Sequence, residues 1–267
     1  MTRPFVRTLS FGSFSHTGVV RKENQDSLGK FPEGDLDLSS PKGQLFIVAD
    51  GMGGHQAGRK ASEMAVHHLS QSYLAYPGND VPTALRTAFN RANEQIYRCS
   101  LEHPEFRGMG TTCSVLILKG SRGYIGHVGD SRIYRIGRRK IQQLTKDHSK
   151  VAELVRQGIL SKDEARYHPE RSHLYRALGT RPAAEVDYVD DIPLESSKFF
   201  LLCSDGLFNH VEEREMQKLV LSNPPSEACK ALVDLANQRG GTDNISVQVV
   251  QLAVNPNLLG KILRGRR

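Results

Sequence analysis

No apolar run in this sequence of 267 residues is longer than five; Leu45–Ala49 and Phe199–Cys203 reach that length. A bilayer crossing takes roughly 20, so a helical membrane span is excluded. The opening residues, MTRPFVRTLSFGS, are basic but hold no apolar stretch of signal-peptide length, and a cytoplasmic location is expected. Cysteine is sparse. Cys99, Cys113, Cys203 and Cys229 are far apart, form no CxxC pair, and read as reduced core thiols. HExxH, zinc-finger spacings and aromatic RNA-binding motifs are also absent, which removes the commonest zinc and nucleic-acid classes. No fixed-period repeat or low-complexity segment occurs.

The formal net charge of +7 does not restore a nucleic-acid reading, because it sits at the ends. Arg3 and Arg7 near the start, and Lys261, Arg264, Arg266 and Arg267 near the finish, lie in segments without a single acid; residues 8–252 are close to neutral. Residues 253–267 read as a solvated basic tail.

What is present is a globular composition, 38% hydrophobic and 24% charged, in a chain long enough for one large core or two small ones. TLSFGSFSHTG and DSLGKF alternate as short strands, and QLFIVAD is the continuous run of a strand buried on both faces. Two amphipathic helices follow: Ala61, Met64, Ala65, His68 and Leu69 share one stripe, and Leu85, Ala88, Phe89, Ala92 and Ile96 another. Asp80 is the expected N-cap of the second helix, with Pro82 in its first turn. From Thr111 to Leu144 the pattern is four short strands in an antiparallel meander. Residues 145–181 are a polar insertion, helical in HSKVAELVRQG and SKDEARY. Strands at 185–190 and 198–203, a helix over Ser226–Gln238 and a last strand in NISVQVVQL complete the chain. Without a βαβ rhythm, this is α+β.

Aspartates recur at the strand ends. QLFIVAD runs into Asp50-Gly51, FFLLCSDGL into Asp205-Gly206 and YIGHVGDSR into Asp130, while Asp26 and Asp243 stand just before strands. One Asp-Gly is an ordinary turn. Several carboxylates converging repel one another unless a cation neutralises them, and an all-oxygen set favours Mg²⁺ or Mn²⁺ over Zn²⁺. Glycine after Asp50 would let the backbone approach closely enough for the Gly51 carbonyl to act as a ligand.

The segments RKENQD, VADGMGGHQAG, GTT, GHVGDSR, LTKDHS, SDGL and GGTDNIS have the order and spacing found in bacterial metal-dependent Ser/Thr phosphatases of the protein phosphatase 2C type, which the chain resembles over about residues 9–252. The resemblance implies two antiparallel sheets packed as a sandwich with a helix pair on each outer face. It makes residues 1–252 one catalytic domain, with 145–181 as a flap. The implied activity is hydrolysis of phosphoserine and phosphothreonine in proteins by in-line attack of a hydroxide bridging two cations, with two or three Mn²⁺ or Mg²⁺ ions bound in all. Asp50 would bridge two cations, Asp205 and Asp243 would complete one site and the Gly51 carbonyl the other. Asp130 would hold a third cation with Asp205, and Asp26 would sit nearby as a further metal residue, acting directly or through metal-bound water. Arg21 would grip the phosphate through its forked guanidinium. A cognate Ser/Thr kinase, phosphoprotein substrates and a monomeric state are implied as well; nucleic acid is not.

Two departures stand out. Gln25 replaces the glutamate of many members and brings no charge to the cations, which implies looser metal binding. Met52 stands where animal members carry a histidine proposed as general acid, leaving a metal-bound water or His55 as proton source. His148, His168 and His173 in the insertion fit no single helix face and are expected to be solvent-exposed. Two rivals fail on the residues. An aspartyl-phosphate phosphatase needs DxDx[TV], which ADGMGG lacks. A non-catalytic phosphoprotein-binding module would be marked by lost ligands, yet Asp50, Asp205 and Asp243 remain.

Overall fold

The computed structural model describes residues 7–254 except positions 35, 55 and 195–197. His55, Arg3 and the tail from residue 255 onward therefore lie outside the described residues. One sheet orders its strands β1 (Arg7–His16), β11 (Ile245–Val254), β10 (Phe199–Cys203), β7 (Arg132–Ile136) and β8 (Ile141–Gln143). The other runs β2 (Asp26–Phe31), β3 (Gln44–Met52), β5 (Cys113–Lys119), β6 (Arg122–Val128) and β9 (Asp187–Pro193), with β4 (Gly110–Thr111) paired to the end of β3. All of these strand pairs are antiparallel.

Strand parity explains the layers. In β3, Leu45, Ile47 and Ala49 pack against the helices α1 (Gln56–Ala75) and α2 (Val81–Glu102), while Phe46 and Val48 face the other sheet. In β10, Phe200 and Leu202 meet them between the sheets, and Phe199, Leu201 and Cys203 turn outward. There they meet the helices α6 (Glu213–Ser222) and α7 (Pro225–Gln238). Alternate residues thus fill an inter-sheet core and two helix–sheet cores, so the strands read as unbroken apolar runs. Asp80 caps α2 as expected, accepting the Thr83 N–H at 3.1 Å, with Pro82 in the first turn.

Two sequence expectations about the strands are corrected, and one helix is not read from the residue pattern. The stretch from Thr111 is not one meander: β5 and β6 belong to one sheet and β7 and β8 to the other. The chain crosses between sheets at Gly129–Asp130–Ser131, a change that strand alternation does not encode. Helix α6 is an element that the residue pattern does not announce, because it is ten residues long with only Met216 and Val220 buried, too short for a clear period. Strand β11 runs to Val254, two residues into the segment expected to be tail.

The insertion holds α3 (Lys150–Arg156) and α4 (Lys162–Tyr167), with Ser161 and Glu164 forming a capping box on α4. His168 is half-buried and His173 exposed, but His148 is buried, not exposed. It accepts the Gly129 N–H at Nδ1 (3.1 Å), its Nε2 lies 3.2 Å from Asp187, and its ring stacks on His127 with centroids 4.9 Å apart. The base of the insertion is thereby fastened to β6 and β9. Among the described residues no helix is long and apolar enough to cross a membrane.

Candidate metal and phosphate site

The parity that sends Phe46 and Val48 between the sheets continues to Asp50, which emerges at one open end of the sandwich. Asp26 lies directly across from it in the β2–β3 register. Asp205 begins the short helix α5 (Asp205–Phe208) after β10, Asp243 precedes β11, and Asp130 sits in the crossover between sheets. Elements from both sheets therefore deliver one carboxylate each to the same end.

The backbone around Asp50 is held from three directions. Its N–H donates to Thr112 Oγ1 (2.9 Å), and its carbonyl accepts from the Thr112 N–H and from Thr111 Oγ1, both at 2.9 Å. Thr112 Oγ1 is in turn 2.6 Å from Ser131 Oγ, tying Asp50 to the crossover that carries Asp130. The GTT segment is thus a brace for Asp50. Gly51 has a steric role: a Cβ there would overlap the Gly58 carbonyl in the first turn of α1. Backbone therefore packs on backbone where β3 enters the helix. Gln25 lies at the same contact, its Oε1 2.6 Å from where a Gly58 Cβ would be.

The carboxylates raise one another's pKa. Burial, then the charges of Asp26, Asp205, Asp130 and Asp243, hold Asp50 well above the usual carboxylate range. Asp205 is pushed up to about 7 by burial and by Asp243 and Asp26. Burial raises Asp26 to about 6 even though hydrogen bonds from Ser204 and Ser246 oppose the shift. Asp130, 8% exposed, is raised well above the usual range by burial, Asp205 and Asp147. Such a group of like charges in a half-dry cleft calls for positive charge.

Two atoms state the same need. Asp26 Oδ2 accepts from Ser204 Oγ at 2.7 Å and Asp205 Oδ2 from Asn209 at 3.1 Å, but Asp26 Oδ1 and Asp205 Oδ1 are buried with no hydrogen-bond partner. Orphaned buried carboxylate oxygens fit a hard divalent cation. Asp243 points elsewhere: its Oδ2 accepts from Arg21 at 2.7 Å and its Oδ1 from the Asn244 N–H at 2.9 Å. Among the described residues no three acidic, histidine or cysteine side chains enclose a cation position as they stand. The Arg21–Asp243 pair occupies one of the two Asp243 oxygens.

Sequence reasoning missed Asn244. It is buried; its Nδ2 donates to the carbonyls of Thr17 and Glu23, both at 2.9 Å, and its Oδ1 accepts the Gln25 N–H at 2.8 Å. One amide side chain thus clamps both ends of the loop that carries Arg21. The only signal was its place beside Asp243 in GGTDNIS. Asp147 of LTKDHS is a structural residue, taking the Arg132 guanidinium at 2.7 Å, while Arg132 stacks 3.6 Å over Phe208.

The family model for protein phosphatase 2C matches residues 21–240. Over 239 residues the chain is 40% identical to the serine/threonine phosphatase Stp of Listeria monocytogenes, covering 88% of this chain and 92% of that one. The structure of serine/threonine phosphatase Stp1 from Staphylococcus aureus superimposes with a TM-score of 0.82 at 31% identity, covering 91% of this chain and 95% of that one. The catalytic domain of the serine/threonine phosphatase PstP, solved with two manganese ions, gives 0.78 at 30% identity, covering 93% and 100%. The chain belongs to the protein phosphatase 2C family.

Proposed function

We propose that this chain hydrolyses phosphoserine and phosphothreonine in proteins with divalent cations held by Asp26, Asp50, Asp205, Asp243, Asp130 and the Gly51 carbonyl. The observation that carries this reading is the group of pKa-raised aspartates with two orphaned oxygens at the sandwich end, next to an exposed arginine. Charge balance supports two cations. Five carboxylates, Asp26, Asp50, Asp130, Asp205 and Asp243, are offset by Arg21 and two divalent ions; a third ion would be matched by the dianionic phosphate of the substrate. Mn²⁺ and Mg²⁺ both suit an oxygen-only set.

When bound, the cations supply Lewis acidity and a nucleophile from water near neutral pH. The chain's own residues do the rest. Arg21 turns its fork from Asp243 to two phosphate oxygens, binding and orienting the ester. Asp26, fixed at Oδ2 by Ser204, would offer its orphaned Oδ1 to a cation, directly or through that cation's water. Met52 offers no proton, so the departing serine or threonine oxygen draws one from water.

The chain through Val254, where β11 ends, would form one catalytic domain with a flap at 145–181, followed by a basic tail. The substrates would be products of a protein Ser/Thr kinase, which makes such a kinase the opposing partner of a monomeric phosphatase. The test is phosphate release from phosphothreonine peptides with Mn²⁺, with EDTA and with Asp50→Asn. Release that needs Mn²⁺ and disappears in both controls supports the reading; release that survives EDTA and the substitution overturns it.

A further inference from the structure

Two apolar side chains stand in water directly beside Arg21. Val19 is 62% exposed and Val20 64%, and the Arg21 side chain is 55% exposed. A single surface valine needs no explanation, but this adjacent pair sits on a loop that is held rigidly. The Val19 N–H donates to the Gly241 carbonyl at 2.9 Å and the Gly18 N–H to His16 Nδ1 at 2.9 Å. Gly18 has a φ of 84°, and a Cβ there would overlap the Asp243 carbonyl. The loop therefore lies backbone-on-backbone against the turn that bears Asp243. Asn244 clamps it at Thr17, Glu23 and Gln25. The valines have no freedom to fold back into a core, and each keeps its apolar surface in solvent at a cost.

We propose that Val19 and Val20 form a preorganised apolar platform for the substrate side chain next to the phosphorylated residue, so that the enzyme favours a bulky apolar neighbour. This rests on the phosphatase reading. Continuity with Arg21 identifies the occupant. Val20 and Arg21 are consecutive, and an extended peptide advances roughly 3.3–3.6 Å per residue. When Arg21 grips the phosphoryl group, a neighbouring residue of the same peptide reaches the valines. A pinned loop loses no further entropy on contact, which makes modest apolar burial effective. The platform acts on specificity and takes no part in the chemistry.

The experiment compares kcat/KM, with Mn²⁺, for three phosphothreonine peptides carrying leucine immediately before the phosphothreonine, leucine immediately after it, or glycine on both sides. Wild-type protein and Val19→Ser/Val20→Ser are assayed, with Val19→Leu/Val20→Leu as the conservative variant and melting temperatures confirming the fold. Wild type is expected to prefer at least one leucine peptide over the glycine peptide by about ten-fold. The serine variant should reduce that ratio to about two-fold, and the leucine variant should retain it. A wild type indifferent to the neighbours, or an unchanged ratio in the serine variant, overturns the proposal. Sedimentation supplies a further arm: wild-type dimers that the serine substitutions dissociate would make the valines a contact between copies and overturn it too. Hydrolysis of p-nitrophenyl phosphate separates the two readings. Activity there without any preference for neighbours sinks the platform alone, whereas no activity there or on any peptide sinks the phosphatase reading and the platform with it.

Discussion

Asp26 and Asp50 stand directly opposite each other in the antiparallel pairing of β2 with β3, two like charges on one face of the sheet. Facing carboxylates oppose folding, and their survival points to a use in which a cation offsets the cost. Asp50→Asn should therefore stabilise the EDTA-treated protein by about 1–2 kcal/mol, raising its melting temperature by roughly 2–6 °C. The same change should cut Mn²⁺-dependent phosphate release by more than about a hundred-fold. Thermal melts with and without Mn²⁺, set beside the peptide assay, check both; a variant that is less stable in EDTA would contradict the repulsion argument.

Arg21 and Asp243 form a 2.7 Å ion pair, and the hydrogen bond and charge of Asp243 raise the arginine's pKa. A cation that takes Asp243 competes with this contact. Arg21→Ala should bind Mn²⁺ a few-fold more tightly by calorimetry, a small effect because the pair is largely solvated. It should also raise KM for the phosphopeptide by about ten-fold or more through loss of the bidentate phosphate contact. Unchanged Mn²⁺ affinity would show that the pair exerts no competition.

Asn244→Ala removes three hydrogen bonds at once and leaves the carbonyls of Thr17 and Glu23 and the N–H of Gln25 without their partner. The expected loss is about 2–4 kcal/mol in urea unfolding. Because the loop bearing Arg21 loosens, KM for phosphopeptides should rise more than kcat falls. Loss of kcat alone would mean that Asn244 acts on the carboxylates rather than on the loop.

His127 is buried, with Nε2–H donating to the Lys146 carbonyl (3.0 Å) and Nδ1 accepting from Ser114 (2.8 Å). Burial, helped by His148, lowers it to about 4. Its folded pKa lies below the unfolded value of about 6.5, so the unfolded chain binds more protons between these limits. Stability is full above pH ~6.5 and falls as the pH drops toward 4, by at most about 3 kcal/mol. The raised aspartates have the opposite sign, gaining stability as pH falls. Comparing wild type with His127→Gln at pH 7.5 and 4.5 isolates the histidine, because the aspartates are common to both. The variant should lose less stability on acidification; an equal loss would remove His127 as a cause of acid sensitivity.

Much of the fold and site was legible in residue order. Alternation in QLFIVAD, the stripes of α1 and α2, the Asp80 cap and the strand-end aspartates are local signals, set by neighbours within a few residues. Parity also places Asp50 on the same face as Phe46 and Val48, although only the fold decides that this face meets the other sheet. Helix α6 was too short to declare itself.

Sequence alone determined the kinds of group available: oxygen ligands without thiol or imidazole clusters, an arginine near the first of them, and strands long enough for two sheets. Tertiary structure decided which of these groups meet. It split the expected meander at Gly129–Ser131, buried His148 against Asp187 and His127, made Asn244 the clamp of a loop more than 200 positions earlier, and turned Asp243 toward Arg21. These contacts join residues distant in the chain. Their formation depends on how two sheets close on each other, and no local pattern records that.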